Sequence, residues 1–329
     1  MSKDLLLDVA DLVTRIPLEG GGAVTAVRSV SFSIGRGESL ALVGESGSGK
    51  SMTVLSLMGL LPRPGRVAGG LALFEGRDLL SLPPDDLRQV RGRKIGIVFQ
   101  DPATSLNPVL TIGQQLAEGL RAHFKMTAAE RRARAAELLE LVGIPEATSR
   151  LDRYPHEFSG GQRQRILIAM AVSCSPSLLI ADEPTTALDA TIQAQIVELL
   201  KDQQKRLGMA ILWITHDLAL VAGLVDRVAV MYAGRIVEQA AVRDLFKNPR
   251  HPYTAGLLKA MPRPDARHEG GVPLVPIPGS PPDLRREIPG CAFARRCPRV
   301  IDRCRTERPP LESVGPDHEA ACFRSSEDR

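Results

Sequence analysis

Runs of consecutive apolar residues at three places in the chain predict buried strands. They are residues 40–43 (LALV), 178–181 (LLIA) and 210–214 (AILWI). Strands of a parallel sheet covered on both faces have this continuous apolar pattern, whereas a strand with one solvent-facing side alternates. Polar residues follow each run, and open α/β sheets bind their ligands at the carboxyl ends of their strands. The pattern therefore predicts an α/β fold with a ligand site at one edge of the sheet.

A helical pattern replaces the strand pattern between residues 127 and 142. Thr127 and Glu130 have the spacing of a helix capping box, and apolar residues after position 137 supply one buried face. We therefore predict a helical subdomain inserted at about residues 101–165. Proline marks a boundary near residue 248, because 14 of the 25 prolines lie in the last 81 residues. The predicted domains are residues 1–247 and a proline-rich extension at 248–329.

Composition and charge narrow the classes of protein that fit. The chain has 329 residues, of which 43% are hydrophobic and 24% charged, and this excludes a mainly disordered protein. The part before residue 249 carries 28 Lys and Arg against 27 Asp and Glu, and aromatic residues make up 4% of the chain. A neutral body with few aromatic side chains argues against nucleic-acid binding. The first 20 residues lack the basic start and apolar core of an export signal, so we expect a cytoplasmic protein.

Residues 44–51 (GESGSGKS) follow the first predicted strand and precede an apolar helical segment. This is the sequence and the context of a phosphate-binding loop. Its glycines let successive backbone N–H groups turn toward phosphate oxygens, and the helix N-terminus adds partial positive charge. Lys50 is expected to reach the outer phosphates, and the Ser51 hydroxyl to bind magnesium. The predicted phosphate-contacting residues are Gly44, Ser46, Gly47, Gly49, Lys50 and Ser51.

Four polar residues near strand ends have the chemistry that would complete a hydrolytic site. Asp182 ends the second predicted strand and is expected to hold the magnesium ion, while Glu183 is assigned as the general base for an attacking water. His216 follows the third strand and is expected to contact the terminal phosphate or that water. Gln100 ends another apolar run, and its amide is assigned to the magnesium-bound water.

Residues 158–162 (FSGGQ) resemble the signature motif of the ATP-binding cassette (ABC) ATPases, and the motifs above stand in that family's order. The resemblance implies the RecA-like fold of phosphate-loop NTPases and hydrolysis of ATP with Mg²⁺. It further implies a head-to-tail dimer in which each nucleotide lies between one subunit's phosphate loop and the other subunit's signature. The signature contacts would come from Ser159, Gly160, Gly161 and Gln162, and Asp189 would lie at the dimer seam.

Other motifs resemble the oligopeptide/dipeptide branch of ABC importers. They are FQDP at 99–102, SLNP at 105–108, HPYT at 251–254 and IPGSPP at 277–282. The branch implies an ATPase at the cytoplasmic face of the membrane that energises di- or oligopeptide uptake. Its partners would be two membrane permease subunits, contacted by residues 101–108, and an extracytoplasmic solute-binding protein. The motif ADEPTTALD at 181–189 resembles the first of two paired subunits, so a heterodimer with a second, similar ATPase is favoured over a homodimer.

One departure from the family pattern concerns the base of the nucleotide. The family usually places an aromatic residue before the first buried strand, where it stacks on adenine. Residues 14–17 (TRIP) occupy that place here, and no aromatic residue precedes Phe32. Stacking is therefore lost, replaced by aliphatic contact from Ile16, or supplied by another element, and we expect modest discrimination between ATP and GTP.

Four of the five cysteines lie in the extension, at Cys291, Cys297, Cys304 and Cys322. Four thiolates can ligate an iron–sulfur cluster or zinc, and a reducing compartment disfavours disulfides. Zinc is the second choice, because the close Cys-x2-Cys pairs of zinc ribbons are missing. Some peptide-importer ATPases carry a 4Fe–4S cluster on this pattern, so the resemblance favours the cluster, with reduced structural cysteines as a further alternative. We predict that Cys174, in an apolar stretch, is a small buried side chain.

Three other functions fit parts of the sequence. They are an importer ATPase for nickel or another small solute, a soluble ABC ATPase with a non-transport role, and an ATPase of iron–sulfur assembly. A second cassette or a long basic insertion would favour the soluble class, and the sequence has neither. The cysteine motif stands apart from the nucleotide motifs, which disfavours the assembly ATPase.

Overall fold

The computed structural model describes residues 4–186, 188–261 and 275–326. The strands are β1 (Leu5–Pro17), β2 (Ala23–Gly35), β3 (Ser39–Val43), β4 (Arg66–Phe74), β5 (Arg77–Asp78), β6 (Ile95–Val98), β7 (Leu178–Asp182), β8 (Ala210–Thr215), β9 (Arg227–Tyr232), β10 (Arg235–Ala241), β11 (Glu312–Gly315) and β12 (His318–Ala320). The helices are α1 (Lys50–Leu57), α2 (Pro84–Val90), α3 (Pro102–Ser105), α4 (Ile112–His123), α5 (Ala128–Leu141), α6 (Ala147–Arg150), α7 (Gly160–Val172), α8 (Ala190–Leu207), α9 (Leu218–Val221), α10 (Val242–Lys247), α11 (Pro252–Lys259) and α12 (Arg303–Thr306), with a 3-10 turn at Pro155–Glu157. Within these described ranges, no helix is both long enough and apolar enough to cross a lipid bilayer.

The chain forms two compact units, each assembled from separate stretches of sequence. The first unit comprises Met1–Leu6, Ile34–Glu38 and Ser81–Ile214. The second unit comprises Leu7–Ser33, Ser39–Leu80 and Thr215–Arg329. The division of the sequence into domains at 1–247 and 248–329 stays a prediction.

Three parallel strands in the order β8-β7-β6 form the sheet of the first unit. Every residue of β7 and β8 is buried, as the continuous apolar runs in the sequence predicted. Helix α7 packs against β6 and against the neighbouring helices α4, α5 and α8. Its buried residues, Ile166 to Ala169 among them, cover a wide face because helices and sheet surround it.

Reciprocal capping fixes where three helices of the first unit begin. The Thr127 hydroxyl accepts the N–H of Glu130 at 3.3 Å, and the Glu130 carboxylate accepts the N–H of Thr127 at 2.7 Å. This confirms the predicted capping box and the helix that follows it, α5. Helices α4 and α7 begin in the same way, each with Gln in place of Glu.

Two groups of strands form the second unit. One is a sheet in the order β2-β1-β4-β5, in which β4 is antiparallel to β1 and to β5. In the other, β3 is parallel to β9, and antiparallel pairing continues from β9 through β10 and β12 to β11. All five residues of β3 are buried, as is Gly44 directly after them, and the chain first becomes partly exposed at Glu45.

A fully buried carboxylate joins the C-terminal strand pair to the rest of the second unit. Glu238, on β10, accepts the backbone N–H groups of Arg250 at 2.6 Å and His251 at 2.8 Å. Its Oε1 also lies 2.8 Å from Nε2 of His318, on β12. Burial raises the pKa of Glu238, but these hydrogen bonds outweigh burial and leave the pKa below its ordinary value. One side chain therefore anchors the start of α11 and strand β12 together.

Ring packing helps to hold the proline-rich extension, in addition to its short helices α11 and α12 and the strand pair β11–β12. Phe293 is 2% exposed, and its ring lies 5.3 Å from the ring of Tyr232 and 5.4 Å from that of Tyr253. The ring of His251 lies 5.8 Å away on the same cluster. Edge and tilted contacts of this kind add to the gain from burying the ring area.

We predict that Glu238→Gln lowers the free energy of unfolding by about 3 kcal/mol, because an amide puts a donor where two backbone N–H groups need an acceptor. Since the pKa of Glu238 is lower in the folded than in the unfolded chain, its contribution is present above the ordinary value of 4.5 and is lost as the pH falls through the folded-state value. Urea unfolding at pH 7 and at pH 4 measures both effects. Glu312→Gln, at an exposed position on β11, is the matched control. Equal unfolding midpoints for Glu238→Gln and wild type at pH 7 would contradict the assignment.

Candidate functional site

The loop between β3 and α1 has a shape that only glycine allows at two of its positions. A Cβ added at Gly44 would lie 2.2 Å from the carbonyl oxygen of Met231. Gly49 has a φ of 105°, and a Cβ there would lie 2.6 Å from the carbonyl oxygen of Ala26. The backbone of the loop is therefore pressed against β2 and β9, which leaves its other side for a ligand.

The polar groups of the loop are arranged as a phosphate cradle. Lys50 is 5% exposed, and its Nζ donates to the carbonyl oxygens of Gly44 at 2.7 Å and Glu45 at 3.1 Å. Within the described part of the chain, the buried hydroxyl of Ser48 has no hydrogen-bond partner. Ser51 is exposed in the first turn of α1. A buried ammonium group, an orphaned hydroxyl and a helix N-terminus on one loop fit the phosphates of a nucleotide.

Ser46 and Gly47 form the exposed tip of this loop, where Gly47 has a φ of 75°. The base of the loop is fixed from outside, because the N–H of Gly234 donates to the carbonyl oxygen of Ser48 at 2.8 Å. The six predicted phosphate-contacting residues therefore occupy one continuous turn of the second unit.

In the first unit, Gln100 and Glu183 lie in contact. Nε2 of Gln100 donates to Oε2 of Glu183 at 3.2 Å, and the Thr186 hydroxyl donates to the same oxygen at 3.0 Å. Asp182, 8% exposed, ends β7 directly before Glu183. The structure thus brings together two side chains that the sequence placed in one site. Thr186 was missed, although its position three residues after Glu183, in the turn after a strand, was a usable signal.

The backbone at Glu183 adopts a left-handed conformation, with a φ of 47°. Non-glycine residues adopt this region at an energetic cost, and such residues cluster at functional sites. The N–H of Glu183 donates to the carbonyl oxygen of Ile214 at 2.9 Å, which holds the turn against the end of β8. The orientation of the Glu183 carboxylate is thereby fixed both by its backbone and by its side-chain partners.

The signature residues form the exposed start of α7. The Ser159 hydroxyl accepts the N–H of Gln162 at 3.3 Å, and Oε1 of Gln162 accepts the N–H of Ser159 at 3.0 Å. A Cβ at Gly161 would lie 2.9 Å from Cγ2 of Ile192, so α8 packs close to this turn. Ser159 and Gly160 are exposed, which is the exposure that contact with another subunit's nucleotide requires.

Two further predicted residues lie at helix starts or strand ends. Asp189 caps α8, and its Oδ1 accepts the N–H groups of Thr191 and Ile192 at 3.0 Å each. His216 is exposed directly after β8. Ala187, part of the ADEPTTALD motif, lies outside the described residues. The location of Asp189 at a dimer seam stays a prediction.

Three residues are predicted to bind magnesium directly or through its waters. They are Ser51 with its hydroxyl, Asp182 with its carboxylate and Gln100 with its amide oxygen. Oxygen donors of these types are what Mg²⁺ prefers, and it usually keeps several waters as well. The chemistry of the donor set therefore fits the ion.

The segment expected near adenine is partly built into the core. Thr14 is fully buried, and its hydroxyl shares a hydrogen bond of 2.6 Å with the Ser56 hydroxyl on α1. Ile16 is half-buried on β1, so its side chain keeps some exposed aliphatic surface. Aliphatic contact from Ile16 stays a prediction.

The predicted iron–sulfur cluster is wrong, and zinc in its place is equally unsupported. Among the described residues, no group of three or more His, Cys, Asp or Glu side chains could hold a metal ion. Cys291, Cys297, Cys304 and Cys322 are free thiols. Burial raises the pKa of Cys291 to about 11, with a further increase from the neighbouring thiols, and burial also raises those of Cys297 and Cys322. Metal ligation requires thiolates, which these surroundings disfavour.

The alternative of reduced cysteines fits the packing of this segment. The N–H of Cys291 donates to the carbonyl oxygen of Cys304 at 2.9 Å, so the backbone closes on itself at this point. The cysteine spacing carries no information about burial, and for this reason it led to a wrong prediction of a cluster. Cys174 is 7% exposed, which confirms the buried side chain predicted for it.

Two family models match the chain. Residues 27–186 match the model described as "ABC transporter", and residues 237–304 match the model described as "Oligopeptide/dipeptide transporter, C-terminal region". The chain is 50% identical to the oligopeptide transport ATP-binding protein OppD of Escherichia coli K12 over 325 residues, 99% of this chain and 95% of that protein. It is 51% identical to the dipeptide transport ATP-binding protein DppD of Bacillus subtilis 168 over 304 residues, 92% of this chain and 90% of that protein.

A solved cassette has a similar fold. The dimeric structure of a post-hydrolysis state of the ATP-binding cassette MJ0796, bound to ADP and Pi, matches with a TM-score of 0.65 at 28% identity. The match covers 72% of this chain and 99% of that one. It confirms the predicted α/β phosphate-loop fold.

We predict that Gly49→Ala weakens ATP binding about tenfold or more, because its Cβ would displace the loop from Ala26 and force a left-handed alanine. Gly69→Ala is the matched control, since a Cβ there meets no atom within 4 Å and its φ is ordinary. Calorimetric titration with Mg-ATP measures both variants. Unchanged affinity in a folded Gly49→Ala protein would show that the loop shape does not govern binding.

Proposed function

This chain belongs to the oligopeptide/dipeptide family of ABC transporter ATP-binding proteins, and we propose that it is the subunit whose ATP hydrolysis energises the import of di- or oligopeptides. The observation that carries the proposal is the identity of about 50%, along nearly the whole chain, to a protein named for oligopeptide transport. The match of residues 237–304 to the transporter-specific C-terminal model supports the same substrate class.

Hydrolysis of ATP to ADP and phosphate is assigned to the following groups. The N–H groups of the phosphate loop and Lys50 bind the phosphates. A magnesium ion held by Ser51 and Asp182 would neutralise charge on the phosphates. Glu183, aligned by Gln100 and Thr186, accepts the proton of the attacking water, and His216 donates a hydrogen bond to the terminal phosphate.

The working form in this proposal is a head-to-tail pair of cassettes. The dimeric state of the similar cassette bound to ADP and Pi supports the pairing. Ser159 and its neighbours at the start of α7 contact the nucleotide of the other subunit, with Asp189 at the seam. We favour a second, similar ATPase as the partner over a second copy of this chain.

The membrane partners are two permease subunits, served by an extracytoplasmic solute-binding protein, and the ATPase acts as a peripheral subunit at the cytoplasmic face. Residues 101–108 are assigned to the permease contact. Val109, directly after this segment, is 75% exposed, and Phe99, just before it, is 36% exposed. These two side chains would add apolar area to the proposed permease contact.

We predict that Glu183→Gln keeps ATP binding within about threefold of wild type but lowers hydrolysis at least about a hundredfold, because the amide keeps the hydrogen-bonding shape and cannot accept the proton. ATP then holds the cassette pair closed, and light scattering of the variant mixed with the proposed second ATPase should find a stable pair. Glu198→Gln, at an exposed position on α8, is the matched control. Normal phosphate release by Glu183→Gln would remove Glu183 from the role of base.

The transport proposal is tested in cells whose own copy is replaced by wild type or by Glu183→Gln. Depletion of short peptides from the medium by wild-type cells alone is the expected result. If both kinds of cell deplete peptides from the medium equally, but nickel or another small solute remains only in the medium of the variant cells, the transport role stands and the peptide assignment is wrong. No difference for any solute, with the variant confirmed to be ATP-bound, would favour an ABC ATPase with a non-transport role.

A further inference from the structure

A buried ion pair connects the phosphate loop to the cysteine-containing segment. Nη1 of Arg296 lies 2.7 Å from Oε2 of Glu45, and Nη2 lies 2.9 Å from Oε1. The Arg296 side chain is 5% exposed and that of Glu45 is 28% exposed. This two-point geometry aligns the planes of the guanidinium and carboxylate groups, which a single contact would leave free to rotate. Glu45 is the second residue of the GESGSGKS loop, and none of the roles above uses its side chain.

Arg296 is itself held in place on several sides. Its Nε donates to the carbonyl oxygen of Pro278 at 2.9 Å. Its guanidinium carbon lies 5.8 Å from the ring centre of Tyr232 and 5.9 Å from that of Phe293, within cation–π range. The hydrogen bonds to Glu45 keep the pKa of Arg296 above its ordinary value, so the group is always charged. The guanidinium of Arg296 is therefore held by its own segment and by Tyr232 as well as by Glu45.

The backbone of Glu45 is held from the same side. Its N–H donates to the Tyr253 hydroxyl oxygen at 2.9 Å, and Tyr253 is fully buried at the start of α11. The carbonyl oxygen of Glu45 accepts Nζ of Lys50 at 3.1 Å and the N–H of Ser48 at 3.2 Å. Glu45 thus receives two of the loop's external supports, from Tyr253 and Arg296, and also contacts Lys50.

Two physical reasons favour a role in nucleotide binding over a purely stabilising one. A buried ion pair contributes little net stability compared with apolar residues of the same volume, so its value lies in fixing geometry. An unpaired carboxylate on a phosphate loop would also repel the triphosphate, and the guanidinium of Arg296 cancels that charge.

We propose that Arg296 is a positioning residue for the phosphate loop, which fixes Glu45 and neutralises its carboxylate so that nucleotide affinity depends on the C-terminal segment. The inference rests on the proposed function, since it takes the loop to be the ATP site. It gives the extension a role in the cassette that needs no metal.

The test is calorimetric titration of the full-length protein with Mg-ATP and Mg-ADP. Arg296→Gln should raise the Kd for ATP at least about tenfold and the Kd for ADP less, because repulsion by Glu45 grows with phosphate charge. Arg295→Gln, at the exposed neighbouring position, should bind like wild type. If the substitution only changed the packing of the loop, the Kd values for ATP and ADP would rise by similar factors.

Two further variants keep the proposal falsifiable. Glu45→Gln added to Arg296→Gln should recover part of the lost ATP affinity, because the unpaired carboxylate is gone. Arg296→Lys keeps the charge and loses the two-point geometry, so its affinity should lie between those of wild type and Arg296→Gln. If Arg296→Gln does not fold, Arg296→Lys decides the question.

Wild-type affinity in folded Arg296→Gln, or in Arg296→Lys when that variant must decide, would overturn the proposal. A double variant that binds ATP more weakly than Arg296→Gln would overturn its electrostatic part. If the wild-type protein binds no ATP at all, the proposed function fails first and the inference fails with it.

Discussion

A loop that binds phosphate through its backbone N–H groups has to leave those groups unpaired, so contacts from outside must impose its shape. In this protein the loop begins at Gly44, directly after β3, and close packing of Gly49 against Ala26 fixes the start of α1. The N–H of Gly234 then holds Ser48, and Tyr253 and Arg296 hold Glu45. The features that make the loop able to bind a nucleotide depend on these supports.

The extension after α10 contributes to this support through ordinary packing and charge. Glu238 ties α11 to β12, and Phe293 closes the ring cluster that carries Tyr253 and stands beside Arg296. The same segment holds Cys291, Cys297 and Cys322 in surroundings where burial raises the pKa of the thiol and so disfavours the thiolate. The extension has little periodic apolar pattern in its sequence, and it is stabilised by one buried carboxylate and a few aromatic rings.

The sequence was most informative where the physics is local. Continuous apolar runs predicted β3, β7 and β8, and the spacing of Thr127 and Glu130 predicted α5. The loop pattern at 44–51 and the signature at 158–162 predicted the fold and the family, because such residue types in such order have few other uses. The sequence assigned Gln100 and Glu183 to one site without predicting their contact, which the parallel strands β6 and β7 bring about by ending at the same edge.

The features that the sequence did not predict depend on contacts between distant positions or on burial. Glu45 and Arg296 are 251 residues apart, and nothing in either neighbourhood marks them as partners. Glu238 sits in a strand where an acid could equally face solvent. The cysteine spacing suggested ligands, yet burial decides whether a thiol ionises, and spacing does not report burial.

This cassette couples ATP hydrolysis to peptide uptake. The most direct measurement is the ATPase rate of the protein reconstituted in vesicles with the proposed second ATPase, the permease subunits and the solute-binding protein. We expect a low rate without peptide and a rate several-fold higher when the binding protein carries a short peptide. An equal rate with and without peptide, in vesicles that hydrolyse ATP, would contradict the claim.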